Sequence, residues 1–378
     1  MVDLASVIRP GDGIIWGQAC AEPQTLVEAL VAQRKAFSGC KIFLGSSYSG
    51  IVRPEHADHL RLASYCGTAA NRALADAGVL EILPAPYSQL GYLIRNKKIR
   101  CDVAMIQVSP ANARGEYSLS LGVEYLAPAL QVARAIIAEV NERVPWTYTE
   151  PLLHAKDFAL VVGSSRPPVY LPYRLGELER AVAKHAAAFI PESAVLECGI
   201  GNLPNAVLAA LGDRRGLSFH SGLIPDGVAA IDLQSCVGGA LMGSQRLFDW
   251  ARENPGLRLR SSDYTHGAAT LARLERFVAI NSAVEVDLTG QVNAEMAQGS
   301  YIGAVGGALD FIRAANHSPG GVSIMTVPAA RIVAQLSGPV ATPRSEAGVI
   351  VTERGAADLR GCTLRERSRR LAAISSSV

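Results

Sequence analysis

A histidine, a hydroxyl and a glycine stand together in Phe219-His220-Ser221-Gly222-Leu223-Ile224-Pro225-Asp226-Gly227. Histidine changes charge near neutral pH, so His220 is a candidate general base or, alternatively, a strand-end residue that holds its loop. Ser221 offers a hydroxyl nucleophile, although no histidine–carboxylate relay accompanies it. Further along, the run Asn281 to Asn293 reads NSAVEVDLTGQVN. Glu285 and Asp287 alternate there with Val284, Val286 and Leu288, so a strand sets both carboxylates on one face. Such a pair serves acid–base chemistry or braces a turn at Thr289-Gly290. Glu295 supplies a further carboxylate just beyond.

Two glycine-rich runs are candidates for ligand contact. Gly199, Gly201 and Asn202 follow the β-prone stretch Ala194–Glu197 and precede a helical one. Small residues there let backbone N–H groups approach an anion or carbonyl, or simply form a tight turn. The second run, Gly303-Ala304-Val305-Gly306-Gly307-Ala308-Leu309-Asp310-Phe311, frees the backbone to aim N–H donors at a developing oxyanion. Neither run completes G-x-G-x-x-G or G-x-x-x-x-G-K-[ST], so dinucleotide and P-loop readings lack their required residues.

These segments together resemble the 4-hydroxybutyrate CoA-transferase / acetyl-CoA hydrolase family. The family reads H-T-E-M-[IL]-S-D-G where this chain reads H-S-G-L-I-P-D-G, and N-S-[AC]-[IV]-E-V-D-L-x-G-Q-V at Asn281–Val292. A third block, Thr342 to Gly361, is similar to T-P-R-T-D-V-H-Y-V-V-T-E-Y-G-V-A-D-L-R-G, with Gly348 in place of the histidine and Arg354 in place of the tyrosine. The resemblance runs over about residues 10 to 370. It implies an α/β fold of two similar open domains of the CoA-transferase type with an interdomain cleft. It also implies no tightly bound cofactor, a coenzyme A thioester as substrate, and a homodimer.

The family's covalent nucleophile is the glutamate of its H-T-E motif, and Gly222 stands in its place. An acylglutamyl anhydride cannot form on a residue without a side chain. Loss of side chains at Gly222 and Gly348 is expected to enlarge the site and admit a second substrate, with Arg354 available to an acidic one. The leading expectation is acyl transfer from acyl-CoA, or a related pantetheine thioester, directly to a small acceptor. Catalysis then rests on placement and oxyanion stabilisation. The alternatives are a hydrolase or CoA-transferase using Glu285, Glu295 or water, and a silent paralogue that only binds CoA esters.

The elements that must position these residues show an internal duplication. Pro10–Leu30 and Pro191–Leu211 overlie at an offset of 181 residues without a gap, matching Pro10 with Pro191 and Pro23 with Pro204. Each copy reads strand, loop, helix, the opening of an α/β domain. Further strands are expected at Lys41–Leu44, Asp102–Val108 and Phe158–Val162, then at Leu217–His220, Phe277–Asn281, Val322–Val327 and Gly348–Thr352. Helices are expected at Tyr125–Asn141, Leu175–Phe189, Ser244–Glu253 and Leu364–Ile374. The proline-rich stretch Gly163 to Pro172 reads as a linker, giving domains 1–170 and 171–378.

Composition narrows the partners. The 378 residues are 49% hydrophobic and 19% charged, which suits two packed domains. A net charge of +2 offers no general attraction to nucleic acid or to an acidic membrane surface. Seven scattered cysteines contain no C-x-x-C pair, so neither a structural zinc nor a thioredoxin-type site is expected. No apolar run approaches the roughly 20 residues that span a bilayer, and no secretory signal opens the chain. A reduced, cytoplasmic enzyme is the expectation.

Overall fold

The computed structural model describes residues 2–376. It contains two compact units, one made of the residues up to Leu171 with Gly239–Tyr264, the other of Pro172–Gly238 with the residues from Thr265 onward. A division at one point, 1–170 and 171–378, therefore needs correction, because Gly239–Tyr264 folds with the first unit.

In the first unit one sheet carries β1 (Gly13–Trp16), β2 (Lys41–Leu44), β3 (Arg61–Ser64), β4 (Leu80–Ile82), β5 (Val103–Val108), β6 (Ala135–Asn141) and β7 (Leu160–Ser164). Their order is β4-β3-β2-β1-β5-β6-β7, parallel throughout. β5 reads VAMIQV and is buried at every position, as a central strand covered on both faces must be. The second unit carries β8 (Val195–Cys198), β9 (Leu217–His220), β10 (Leu233–Gly238), β11 (Phe277–Ser282), β12 (Val322–Thr326), β13 (Val349–Thr352) and β14 (Gly355–Asp358). They run in the order β10-β9-β8-β11-β12-β13-β14, all parallel except β14, which returns antiparallel along β13.

The duplication is visible in this topology. β1 lies between β2 and β5, and β8 lies between β9 and β11, in both cases parallel to its neighbours. A helix follows each: α1 (Gln24–Ala32), directly after Pro23, and α2 (Asn202–Ala209), with Pro204 in its first turn. Proline is tolerated in that turn because its missing N–H would have no partner there.

One expected helix is corrected. Tyr125–Asn141 divides into a short helix, Leu126–Val132, and strand β6. Ala133 is extended and ends the helix, and the β-branched run of β6 then inserts between β5 and β7. The buried carboxylate of Glu139 on β6 accepts hydrogen bonds from Thr25 N–H (2.9 Å), Thr25 Oγ1 (2.8 Å) and Leu26 N–H (3.3 Å). It thereby satisfies the orphan N–H groups at the start of α1.

The chain crosses from one side of β8 to the other when it passes from β10 to β11, so a topological switch point lies between β8 and β11. In open α/β sheets ligands bind at the carboxyl ends of the strands at such a point. The loops after β8 and β9 emerge on that edge, and they carry Gly199–Asn202 and Ser221–Gly222.

Candidate active site

The cluster described here lies within the second unit. His220 ends β9, and its Nε2–H donates to the carbonyl oxygen of Thr265 at 2.9 Å. Burial holds this imidazole below its ordinary pKa, the Thr265 carbonyl pulling the other way. Thr265 also meets the next residue: its Oγ1 lies 2.9 Å from His266 Nδ1. Two histidines from separate segments are thus fixed on one threonine. The His266 ring packs on Phe311, with centroids 4.5 Å apart, and is only 4% exposed.

The edge of the His266 ring faces two glycines. A β-carbon built on Gly222 would lie 2.8 Å from His266 Cε1 and 2.9 Å from Nε2. A β-carbon built on Gly307 would collide with the same Nε2. The two loops singled out by sequence therefore converge on one imidazole, and only residues without side chains permit that approach. The expected enlargement at Gly222 is corrected: the space its side chain would take is filled by the imidazole of His266.

Gly348 is corrected as well. It precedes β13, at the amino end of a four-residue strand, whereas the loops after β8 and β9 leave from the carboxyl edge. That strand length separates the two edges by about 13 Å. A β-carbon at Gly348 would strike the Ser323 hydroxyl and would lie 2.7 Å from the Ser323 carbonyl oxygen, so no chamber opens there either. Arg354 stands exposed in the turn joining β13 to β14, three strands from β8 in the sheet order.

The remaining expected residues take clear positions. Ser221 is fully buried; its hydroxyl donates to the Cys198 carbonyl (3.2 Å) and accepts from Leu223 N–H (3.4 Å), tying the β8 and β9 loops together. Gly199 donates its N–H to Ile280 on β11 (2.7 Å), and Gly201, with φ near 127°, caps α2. Asn202 Oδ1 accepts from Arg174 N–H at 3.3 Å. Gly303 N–H is taken by the Glu295 carbonyl (2.9 Å), while Gly306 has φ near 60° with nothing closer than 3.8 Å to its absent β-carbon.

Glu285 and Asp287 share the short strand Glu285–Asp287, as expected, yet both are heavily engaged. Burial acts to raise the Glu285 carboxyl, but hydrogen bonds from Ser337 N–H (2.9 Å), Ser337 Oγ (2.8 Å) and Asn293 hold it below its ordinary value. Asp287 accepts from Thr289 N–H (2.8 Å), Thr289 Oγ1 (2.7 Å) and Gln291, which braces the Thr289-Gly290 turn. Glu295 accepts from Tyr301 OH at 2.7 Å.

A carboxyl that sequence reasoning passed over sits at the switch point itself. Glu197 on β8 is 1% exposed, and burial pushes its carboxyl up to about 8, although Asn281 Nδ2 (2.8 Å) and Ile280 N–H (3.1 Å) donate to it. Asn281 in turn presses on Gly199, whose β-carbon would stand 2.5 Å from Asn281 Oδ1. Among the described residues no group of His, Cys, Asp and Glu could hold a metal ion, and no helix is long and apolar enough to cross a membrane.

Comparison with known proteins decides the family. The acetyl-CoA hydrolase/transferase N-terminal domain matches residues 1–158, and the acetyl-CoA hydrolase/transferase C-terminal domain matches residues 243–377. The chain belongs to the acetyl-CoA hydrolase/transferase family. It is an enzyme of the CoA-thioester class. It is 32% identical to 4-hydroxybutyrate coenzyme A transferase of Clostridium kluyveri, over 98% of this chain and 92% of that one. It is 29% identical to butyryl-CoA:acetate CoA-transferase of Anaerostipes caccae, over 99% and 92%. The structure of RipA from Yersinia pestis superposes with a TM-score of 0.94 at 28% identity, over 99% of this chain and 92% of that one. The 4-hydroxybutyrate CoA-transferase of Porphyromonas gingivalis gives 0.82 at 28% identity, over 98% and 92%.

His266, Thr265 and Phe311 were not singled out by sequence. Thr265-His266-Gly267 carries no recognisable motif, and the ring meets Gly222, which stands 44 positions earlier in the chain. The glycine at 222 pointed the other way, to an enlarged site.

Proposed function

We propose that this enzyme takes an acyl-CoA, or a related pantetheine thioester, and transfers the acyl group directly to a small-molecule acceptor without an acylglutamyl intermediate. The observation that carries the reading is the contact at Gly222. The position where the resemblance expects a carboxylate has no side chain, and an imidazole edge occupies the space such a side chain would enter. The two acids expected as substitutes are engaged elsewhere: Glu285 accepts from Ser337 and Asn293, and Glu295 from Tyr301. The Ser221 hydroxyl is spent on backbone groups. Direct attack by a bound acceptor then draws on placement and on N–H donors of the glycine loops.

The same reading takes the protein as a cytoplasmic homodimer that needs no tightly bound cofactor, nucleic acid or membrane. The near balance of 36 basic and 34 acidic residues supports the last two points. Incubation with acetyl-CoA and with butyryl-CoA, trapping with borohydride and intact mass measurement test the chemistry. The expected spectrum shows unmodified protein during turnover. An acyl or CoA adduct on any residue overturns direct transfer.

A further inference from the structure

We propose that Glu197 is a positioning residue for thioester binding: through Ile280 and Asn281 it holds the Gly199–Asn202 loop in the shape that meets the ligand. This rests on the reading above that the glycine loops contact the thioester, and it holds whichever route the acyl group then takes.

The geometry is a clamp in two layers. One carboxyl oxygen of Glu197, Oε2, accepts from Ile280 N–H (3.1 Å) and from Asn281 Nδ2 (2.8 Å). Three successive residues of β11 then carry the loop. The Ile280 carbonyl accepts from Gly199 N–H (2.7 Å), and Ser282 Oγ donates to the Ile200 carbonyl (3.1 Å). Between them the Asn281 side chain lies so close against Gly199 that a β-carbon there would stand 2.5 Å from Oδ1. Beyond the clamp the loop reaches solvent, with Ile200, Gly201 and Asn202 exposed where α2 begins. The exposed half of the loop is thus set by the half that Glu197 grips, as in any buried polar network whose members hold one another.

Charge gives the clamp a second consequence. Of the elements packed against β8, β9 contributes His220, which burial holds below its ordinary pKa. α2, β11 and the strand Leu223–Pro225 contribute no ionisable side chain. On β8 itself the neighbour is Cys198, whose thiol is pushed well up by burial and then by the Glu197 charge. These elements therefore bring no cation to Glu197 when it ionises at about pH 8. A buried negative charge beneath N–H groups that meet an anion or a carbonyl opposes their ligand. The loop binds best while Glu197 keeps its proton and weakens as pH rises through 8.

The test follows acetyl-CoA binding by calorimetry from pH 6 to pH 9, with kcat for thiol release measured alongside. Wild-type Kd is expected to rise about fivefold between pH 7 and pH 9, and that of Glu197→Gln, which cannot ionise, to rise much less. At pH 7 Glu197→Leu and Asn281→Leu should each weaken binding about tenfold and lower kcat roughly 10²-fold. The double variant should be little worse than either, because both cut one clamp. Glu197→Gln should recover most of what Glu197→Leu loses, since its amide keeps an acceptor oxygen for Asn281. A residue that only braces the sheet would give a lower Tm with wild-type Kd and kcat per folded molecule, and that result overturns the inference. So does an alkaline rise in Kd that survives unchanged in Glu197→Gln, or a wild-type protein that binds no acetyl-CoA. An acyl adduct on the protein, with these differences in Kd intact, overturns direct transfer alone.

Discussion

The loops that follow β1 and β8 occupy the same place in two duplicated sheets, yet they are built for opposite purposes. After β1, Gly17 to Glu22 are all buried. Gln18 is stitched from both ends: Nε2 donates to Glu124 (2.8 Å) and Tyr87 OH (2.9 Å), and Oε1 accepts from Ser46 N–H and Tyr65 OH, each at 2.8 Å. After β8, Ile200, Gly201 and Asn202 are exposed, and the neighbouring loop after β9 meets His266 through a glycine. One copy of the motif has become a closed polar knot that fixes the sheet. The other keeps glycines against a histidine ring, at the carboxyl edge where open α/β sheets bind ligands. Duplication supplied the frame twice, and side chains decided which edge would react.

The largest expected effect sharpens what the two halves share. Burial pushes Glu22 and Glu124 up to about 7 and Glu197 up to about 8, against hydrogen bonds that pull each back. An unfolded carboxyl ionises near 4, so the folded state keeps these protons longer. Their contribution is fully present below about pH 4 and is lost as pH rises through 7 and 8. One pKa unit is worth about 1.4 kcal/mol, so the three together dominate the pH dependence. Glutamine mimics the protonated acid. Urea unfolding across pH 4 to 9 should therefore show a flatter profile for Glu197→Gln than for wild type, with the gain at the alkaline end.

A more local break separates the halves. Glu124→Leu removes the acceptor of Gln18 Nε2 and Tyr87 OH (2.9 Å) in a buried knot. It should cost about 3 kcal/mol by denaturant titration. Next in size is Gly222→Glu, which drives a side chain into the His266 ring and should cost about 2 kcal/mol through overpacking. Pairing it with His266→Ala should recover that stability and bring acetate-dependent CoA exchange, which Gly222→Glu alone should lack. The smallest effect belongs to Gly306→Ala. With φ near 60° and open space at its β-carbon, it should lose about 1 kcal/mol from backbone strain only, read as a modest fall in Tm.

Much of the frame was legible before any coordinates. Short β-prone runs marked β2, β9 and β13 nearly to the residue, because buried parallel strands concentrate apolar and aromatic side chains. Tyr125–Asn141 misled, since the short apolar run Ala135–Ala138 carries no period that distinguishes a buried strand from a helix. At the site, Gly222 was conspicuous through family resemblance, and Glu285 and Asp287 through their alternation. His266 was invisible because its meaning lies in a contact made far along the chain. Gly348 was misplaced because sequence does not say at which end of a strand a residue's neighbours will gather.

The central claim, proposed above, is that acyl transfer proceeds directly from thioester to acceptor, with no protein carboxylate acting as nucleophile. A crystal structure with a non-hydrolysable CoA thioester analogue and a small-molecule acceptor tests it most directly. The account predicts the acceptor atom beside the thioester carbonyl carbon, with no carboxylate of the protein at bonding distance from that carbon. A carboxylate of Glu285, Glu295 or another residue at bonding distance from that carbon would contradict it.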